Sequence, residues 1–262
     1  MELIYKIIKF ELSNAFRSKW ILVYSAFFLL TSFLLLNFGE DNSKAILSLM
    51  NIVLIVIPLV SIIFGTIYVY NSNDYIQMVL CQPIDRNSLF IGLYLGNSIP
   101  LAAGFLIGTL LGFILNGYAN FTFESFILLL IVGAALTFIF TTISFLIGIK
   151  FSDKSRGLGF AIIIWLLLSV AYDGIVLFVI YYFRDYPIEN IVLAISLLNP
   201  IDLGRIMFIL NFDISALMGY TGALFHKFFG SALGIIISFS LLFLWLIIPT
   251  FWGLKSFKKK DF

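Results

Sequence analysis

The chain has 262 residues, of which 61% are hydrophobic and only 11% charged, and its mean hydropathy is +1.09. Soluble domains carry about 25% charged residues, so the composition excludes a soluble globular class and implies an integral membrane protein. A net charge of +2 leaves only the distribution of charge informative, and a single cysteine, Cys81, excludes an intrachain disulfide or a CxxC thiolate cluster.

The first 19 residues mix charged and apolar positions with no small-residue cleavage site, so they do not read as a cleaved signal peptide. Lys6, Lys9, Ser13 and Arg17 recur at spacings of 3, 4 and 4, which puts them on one stripe of a helix. Leu3, Ile4, Ile7, Ile8, Leu12, Ala15 and Phe16 cover the rest of its circumference. A basic stripe on an apolar helix is the pattern of a segment lying in the membrane surface. Glu11 interrupts the apolar side, where it either meets a neighbouring helix or partner subunit or extends back to water.

A helix needs about 20 mostly apolar residues to cross the hydrocarbon core. Six stretches qualify: 20–36, 45–70, 89–115, 125–149, 157–183 and 230–254. The stretch 191–225 is apolar but broken by Asn199, Pro200, Asp202, Arg205 and Asp213, and is not counted as a span. With the N-terminus inside, the inner segments hold 12 lysines and arginines and the outer segments hold 4. By the positive-inside rule both termini are then cytoplasmic.

Residues 71–88 link spans two and three on the cytoplasmic side. Ser72 or Asn73 suits a helix N-cap and Asp74 its first turn. Tyr75, Ile76, Val79 and Leu80 then share one face, Pro83 ends the helix near Gln82, and Asp85 caps the start of span three, followed by Arg86. An apolar face beyond the bilayer docks on something: either the underside of the protein's own bundle or a cytoplasmic partner.

Within the spans, Gly104, Gly108 and Gly112 set a GxxxG rhythm that marks close helix packing. Asp173 in span five is an intramembrane carboxylate, which either packs through a hydrogen bond or lines a substrate path or dimer interface. Trp20, Tyr68, Tyr70, Tyr181, Tyr182, Tyr186 and Trp252 mark an aromatic belt.

The segment 184–229 lies outside on this topology. A turn at Asn199-Pro200 starts a helix there, whose Ile201, Ile206, Ile209 and Leu210 can dip into the membrane surface. Asp202 and Arg205 stand at i, i+3 and can pair. The pair either fixes a re-entrant hairpin or belongs to a docking platform for an outer partner. Met50, Met78, Met207, Met218 and the lone His226 form no tight cluster of soft ligands, so no metal site is expected and the methionines read as apolar filler. No GxxxxGK[ST] occurs, so any nucleotide is bound by another polypeptide.

These features together resemble the permease subunits of type-2 ABC exporters: a basic amphipathic arm, six spans with both ends inside, and a short helix closed by proline and arginine after span two. ELSNAFRSKWILVY (11–24), MVLCQPIDRNSLFIGLYLG (78–96), LLNPIDLGRIMFIL (197–210) and FKKKDF (257–262) are similar to stretches of the NosY-type branch. Members of that branch often carry lysine after the glycine that opens span three, where this chain has Gly92-Leu93.

The resemblance implies one all-α transmembrane permease domain over 1–262. It would comprise an interfacial elbow helix (1–19, with Lys6, Lys9 and Arg17), a cytoplasmic coupling loop (71–88) and an outer helical segment (184–229). The coupling helix, with Tyr75, Ile76, Val79, Leu80, Pro83, Asp85 and Arg86, would be gripped by an ATPase subunit. Asn199, Pro200, Asp202 and Arg205 would meet an extracytoplasmic partner. The assembly implied is a permease homodimer in the bacterial inner membrane with a NosF-like ATPase, which binds ATP and magnesium, and a NosD-like protein. That system matures the copper sites of nitrous oxide reductase. The chain itself would hold no cofactor, have no catalytic residues, and bind lipid but no nucleic acid. Other exporter cargo, a channel or a secondary transporter remain open as alternatives.

Overall fold

The structure is a computed structural model that describes residues 7–12, 18–38, 42–116, 123–183, 189–211 and 232–260. Among these residues there is no strand. Residues 7–12 are helical, followed by α1 (Lys19–Phe38), α2 (Asn42–Asn71), α3 (Asn73–Leu80), α4 (Arg86–Leu115) and α5 (Phe123–Lys150). Then come α6 (Lys154–Leu166), a π turn (Leu167–Ala171), α7 (Tyr172–Tyr182), α8 (Glu189–Leu197), α9 (Pro200–Asn211) and α10 (Ala232–Lys259).

Six of these stretches are long and apolar enough to cross a membrane: α1, α2, α4, α5, α6 continued through α7, and α10. They are the six spans expected from composition. The starts of α4 and α6 are capped by acids. Asp85 accepts from the Ser88 N–H at the start of α4, and Asp153 accepts from the Ser155 N–H at the start of α6. Each acid satisfies a backbone donor that the first helical turn leaves open and suits its positive end.

Helix α5 is the hub, packed against α2, α4, α10 and α9. Helix α1 lies along α4, and α6 lies along α2. The GxxxG stripe explains the first of these pairs. A Cβ at Gly108 would meet the Ser25 carbonyl of α1, and one at Gly112 would meet Ser32 Oγ. The glycines thus bring α1 and α4 together within one chain. Burial of the main core is continuous through Phe28, Leu54, Phe105, Leu136, Phe140 and Leu203.

The spans divide the bundle into two faces. One, the terminal face, gathers residues 7–12, α3, the start of α4 and the end of α10. The other, the far face, carries α8 and α9. Span five is the least covered: 11% of its apolar window is buried, against 56% for α4 and α5. Its Ile163, Val170 and Leu177, two turns apart, form an uncovered stripe.

Candidate functional sites

At the terminal face, the sequence places Tyr75, Ile76, Val79 and Leu80 on one side of α3, and the structure turns that side inward. Ile76 is 2% exposed and Val79 7%. They join Ile7, Val69, Leu89, Phe90, Leu93, Phe145, Ile149 and Phe257 in one apolar cluster, with Tyr75 and Leu80 packed at its edge. The face expected to be offered to a partner is therefore used by the chain itself, because the ends of the elbow, α4, α5 and α10 leave an apolar hollow there. What α3 and the turn after it present outward is Asp74, Gln77, Met78, Cys81, Gln82 and Pro83. Asp85 is exposed and caps α4.

Arg86 does something the sequence did not indicate. Its Nη1 donates to the carbonyls of Lys258 at 2.8 Å and Lys260 at 3.0 Å. These belong to the end of α10, where carbonyls lack helical partners and the helix dipole favours a cation. One side chain thereby ties the start of span three to the end of span six. Deeper in, the Phe90 ring lies against Gly253 and within 5.6 Å of the Phe257 ring.

The elbow is locked to the same cluster. The Phe10 ring stacks on Tyr75 at 6.2 Å. Ile7 lies on Gly92, and Glu11 lies on Gly96. Glu11 is thus buried against a neighbouring helix of its own chain. Burial raises its pKa, and the Tyr68 hydroxyl turned toward it offsets part of that rise. Burial and the Glu11 carboxylate together raise the Tyr75 pKa. Lys9 is exposed; Lys6 and Arg17 lie outside the described residues. Of the expected aromatic belt, Trp20, Tyr181, Tyr182 and Trp252 are exposed. Tyr68 and Tyr70 instead turn inward, Tyr70 donating to the Phe151 and Asp153 carbonyls; Tyr186 lies outside the described residues.

At the far face, α8 and α9 form a re-entrant hairpin. Asn199 stands between them and its Nδ2 donates to the Leu168 carbonyl at 2.8 Å. Leu168 is the fifteenth of the 29 residues of span five, so the tip of the hairpin is at mid-span. Irregular backbone is tolerated at that depth only where protein buries it and its polar groups are satisfied. Both conditions hold at Asn199. Asn199 is fully buried, its Oδ1 accepts from the Ile201 N–H, and its carbonyl accepts from the Leu203 N–H. Span five contributes through its π turn, in which the Tyr172 N–H bonds to the Leu167 carbonyl and bypasses Leu168. The bypassed carbonyl is the one that accepts from Asn199.

The charged residues converge on the same place. Arg205 Nη1 is 2.7 Å from Asp173 Oδ2 and 3.3 Å from Asp202 Oδ1, while Asn199 Nδ2 also donates to Asp202 Oδ2 at 3.1 Å. Asp173 and the NPxDxxR segment, separate in the sequence reading, are thus one network in which two carboxylates share one guanidinium. The Asp202–Arg205 pair forms as expected, but it is not a surface feature. Asn199, Pro200 and Asp202 are buried; Asn199 directly, and Asp202 through Arg205, hold the hairpin to span five. Ile201, expected at the membrane surface, is 1% exposed and belongs to the main core, because α9 packs on α2 and α5. Gly204 allows this approach, lying against Val132 and Leu54. Met50 and Met207 fill the core, Met78 is exposed, and Met218 and His226 lie outside the described residues.

Comparison with known proteins agrees with this architecture. The family model described as ABC-2 family transporter protein matches residues 5–262. The chain is similar to the probable ABC transporter permease protein NosY of Pseudomonas aeruginosa, at 23% identity over 236 residues, covering 84% of this chain and 86% of that one. It is also similar to the protein of the same description from Stutzerimonas stutzeri, at 22% identity, covering 81% and 83%.

Proposed function

The chain belongs to the ABC-2 family of transporter proteins, and from that premise we propose that it is a NosY-like permease subunit acting as a homodimer. Two ATPase chains, carrying ATP and magnesium, drive it from the cytoplasmic side. The terminal face is that side, as the lysine and arginine excess there implies, and the membrane is the bacterial inner membrane. The single observation that carries the reading is the seating of α3. It shares one apolar cluster with the elbow and with the ends of α4, α5 and α10. A displacement imposed on α3 therefore moves spans three, four and six together, since close-packed interiors transmit shifts and do not absorb them.

The ATPase grips the outward surface of α3 and its turn, Gln77, Met78, Cys81, Gln82 and Pro83, while Ile76 and Val79 transmit the motion. The second copy of the permease packs on the uncovered stripe of span five. The transported or mechanically assisted process is assembly of the copper sites of nitrous oxide reductase. A NosF-like ATPase and a NosD-like extracytoplasmic protein are the partners, the latter engaging the exposed rim of the far face.

Co-purification from membranes tests the coupling surface. An ATPase chain should accompany the wild type and be lost from Met78→Asp/Gln82→Asp, with the permease still eluting as a folded species. An ATPase retained by the variant, or absent from the wild type, defeats the assignment. The copper role has its own test. Cells lacking this chain should make nitrous oxide reductase without its copper absorption bands, and restoring the chain should restore them.

A further inference from the structure

Spans three and six do not close completely at the terminal face. Between them lies a groove of about 300 Å³ lined by Asn87, Ile91, Phe251, Leu254, Lys255 and Lys258. The residues from α10 fall at i, i+3, i+4 and i+7, one stripe of that helix, and the two from α4 are one turn apart. The helices are antiparallel here, so the lining is sorted by depth. Phe251, Leu254 and Ile91 lie toward the interior. Lys255, Lys258 and Asn87 lie toward the surface, with Phe251 and Lys258 about 10 Å apart along the axis at 1.5 Å per residue. Trp252, next to Phe251 in the chain, is 60% exposed, and indole rings are enriched at membrane interfaces.

Charge sets the ligand class. Lys255 and Lys258 are exposed, and no ion pair among the described residues engages either ammonium. The neighbouring carbonyls at the end of α10, which would otherwise draw a lysine back, are taken by Arg86. The groove therefore offers two cations toward the end of α10 and apolar side chains that continue up to two turns further along the span.

We propose that this groove binds one anionic glycerophospholipid per chain, its phosphate between Lys255 and Lys258 and an acyl chain along Ile91, Leu254 and Phe251. A lipid there would lean on spans three and six at the point where Arg86 joins them. The inference needs only a membrane-embedded chain and is independent of the ATPase and of the cargo.

Native mass spectrometry of the full-length chain in detergent tests it, with phosphatidylglycerol, phosphatidylcholine of the same acyl chains, and inorganic phosphate as probes. Wild type should retain one phosphatidylglycerol in preference to phosphatidylcholine, and millimolar phosphate should not displace it. Lys255→Gln/Lys258→Gln should weaken the first phosphatidylglycerol roughly tenfold or more, as loss of two interfacial cations implies. Lys44→Gln/Lys150→Gln, which removes exposed lysines elsewhere, should not. Ile91→Trp should also expel the lipid with every charge retained. The proposal fails if both lipids bind alike, if the Lys255/Lys258 variant binds phosphatidylglycerol like wild type, or if phosphate alone displaces the lipid. The lysine pair lies on the surface and decides the matter even if Ile91→Trp does not fold.

Discussion

Arg205 of α9 and Asp173 of span five meet at 2.7 Å, and the same guanidinium nitrogen lies 3.3 Å from Asp202 one turn earlier on its own helix. A helix that does not cross the membrane is thus bolted to one that does. Span five is the least covered of the six spans. The bolt, together with Asn199 on the Leu168 carbonyl and Tyr172 on the Ile195 carbonyl, holds the hairpin at mid-span.

Removing the guanidinium should loosen the hairpin. Arg205→Ala leaves two neighbouring carboxylates without their cation, and breaking such a pair is costly because the remaining charge stays uncompensated. The side chains are about one-third exposed, so the expected loss is roughly 2 kcal/mol, below the fully buried range of that principle. Asp173→Asn/Arg205→Gln should cost less than Arg205→Ala. Thermal unfolding in detergent measures both, and an Arg205→Ala variant as stable as wild type would sink the bolt.

Helix α1 depends on the glycine stripe of α4. Gly108→Ala puts a methyl group against the Ser25 carbonyl and 3.0 Å from Phe28 Cβ. Backbone cannot yield as a side chain does, so a loss of about 2–3 kcal/mol is expected, at the upper end for overpacking. Gly159→Ala meets nothing within 4 Å and should stay within about 0.5 kcal/mol of wild type. Equal stability of the two variants would contradict the packing described.

Glu11 gives the elbow a pH dependence. Burial holds its pKa above the ordinary value of 4.5, so the folded chain binds this proton more tightly than the unfolded chain does. Its contribution to stability is fully present below pH 4.5 and is lost as pH rises through the folded-state value. Glu11→Gln removes the titration. The difference in unfolding midpoint between variant and wild type should therefore grow, in favour of the variant, as pH rises through that window. A pH-independent difference would mean that Glu11 titrates alike in the folded and the unfolded chain, against the burial described.

The two sides of α3 should respond differently to charge. Val79→Asp introduces a carboxylate into the apolar cluster without a partner, at a cost of several kcal/mol, and should yield little folded protein. Gln82→Asp, on the exposed turn, should leave yield and elution unchanged. Recovery of both variants in equal amounts from solubilised membranes would show that Val79 is not held inside.

Much of this protein was legible from its residues alone. Each span needs its own run of apolar side chains, and water and lipid impose that requirement locally; hence six spans follow from counting. The cap Asp85 and the Asn199-Pro200 helix start are equally local, since each satisfies a backbone donor within three residues. The i, i+3 pairing of Asp202 with Arg205 is a property of one helix. What only the tertiary structure decided is direction and company. The apolar side of α3 could have faced a partner, and the hollow left by the elbow, α4, α5 and α10 turned it inward. Asp173 and Arg205 are 32 positions apart, and nothing in their spacing marks them as a pair. Arg86 and the last turn of α10 are 172 apart. A helix presents its polar and apolar faces by a local period, but what covers each face depends on how far distant segments pack. That is set by the small residues, Gly96, Gly108 and Gly204, at which one helix can approach another.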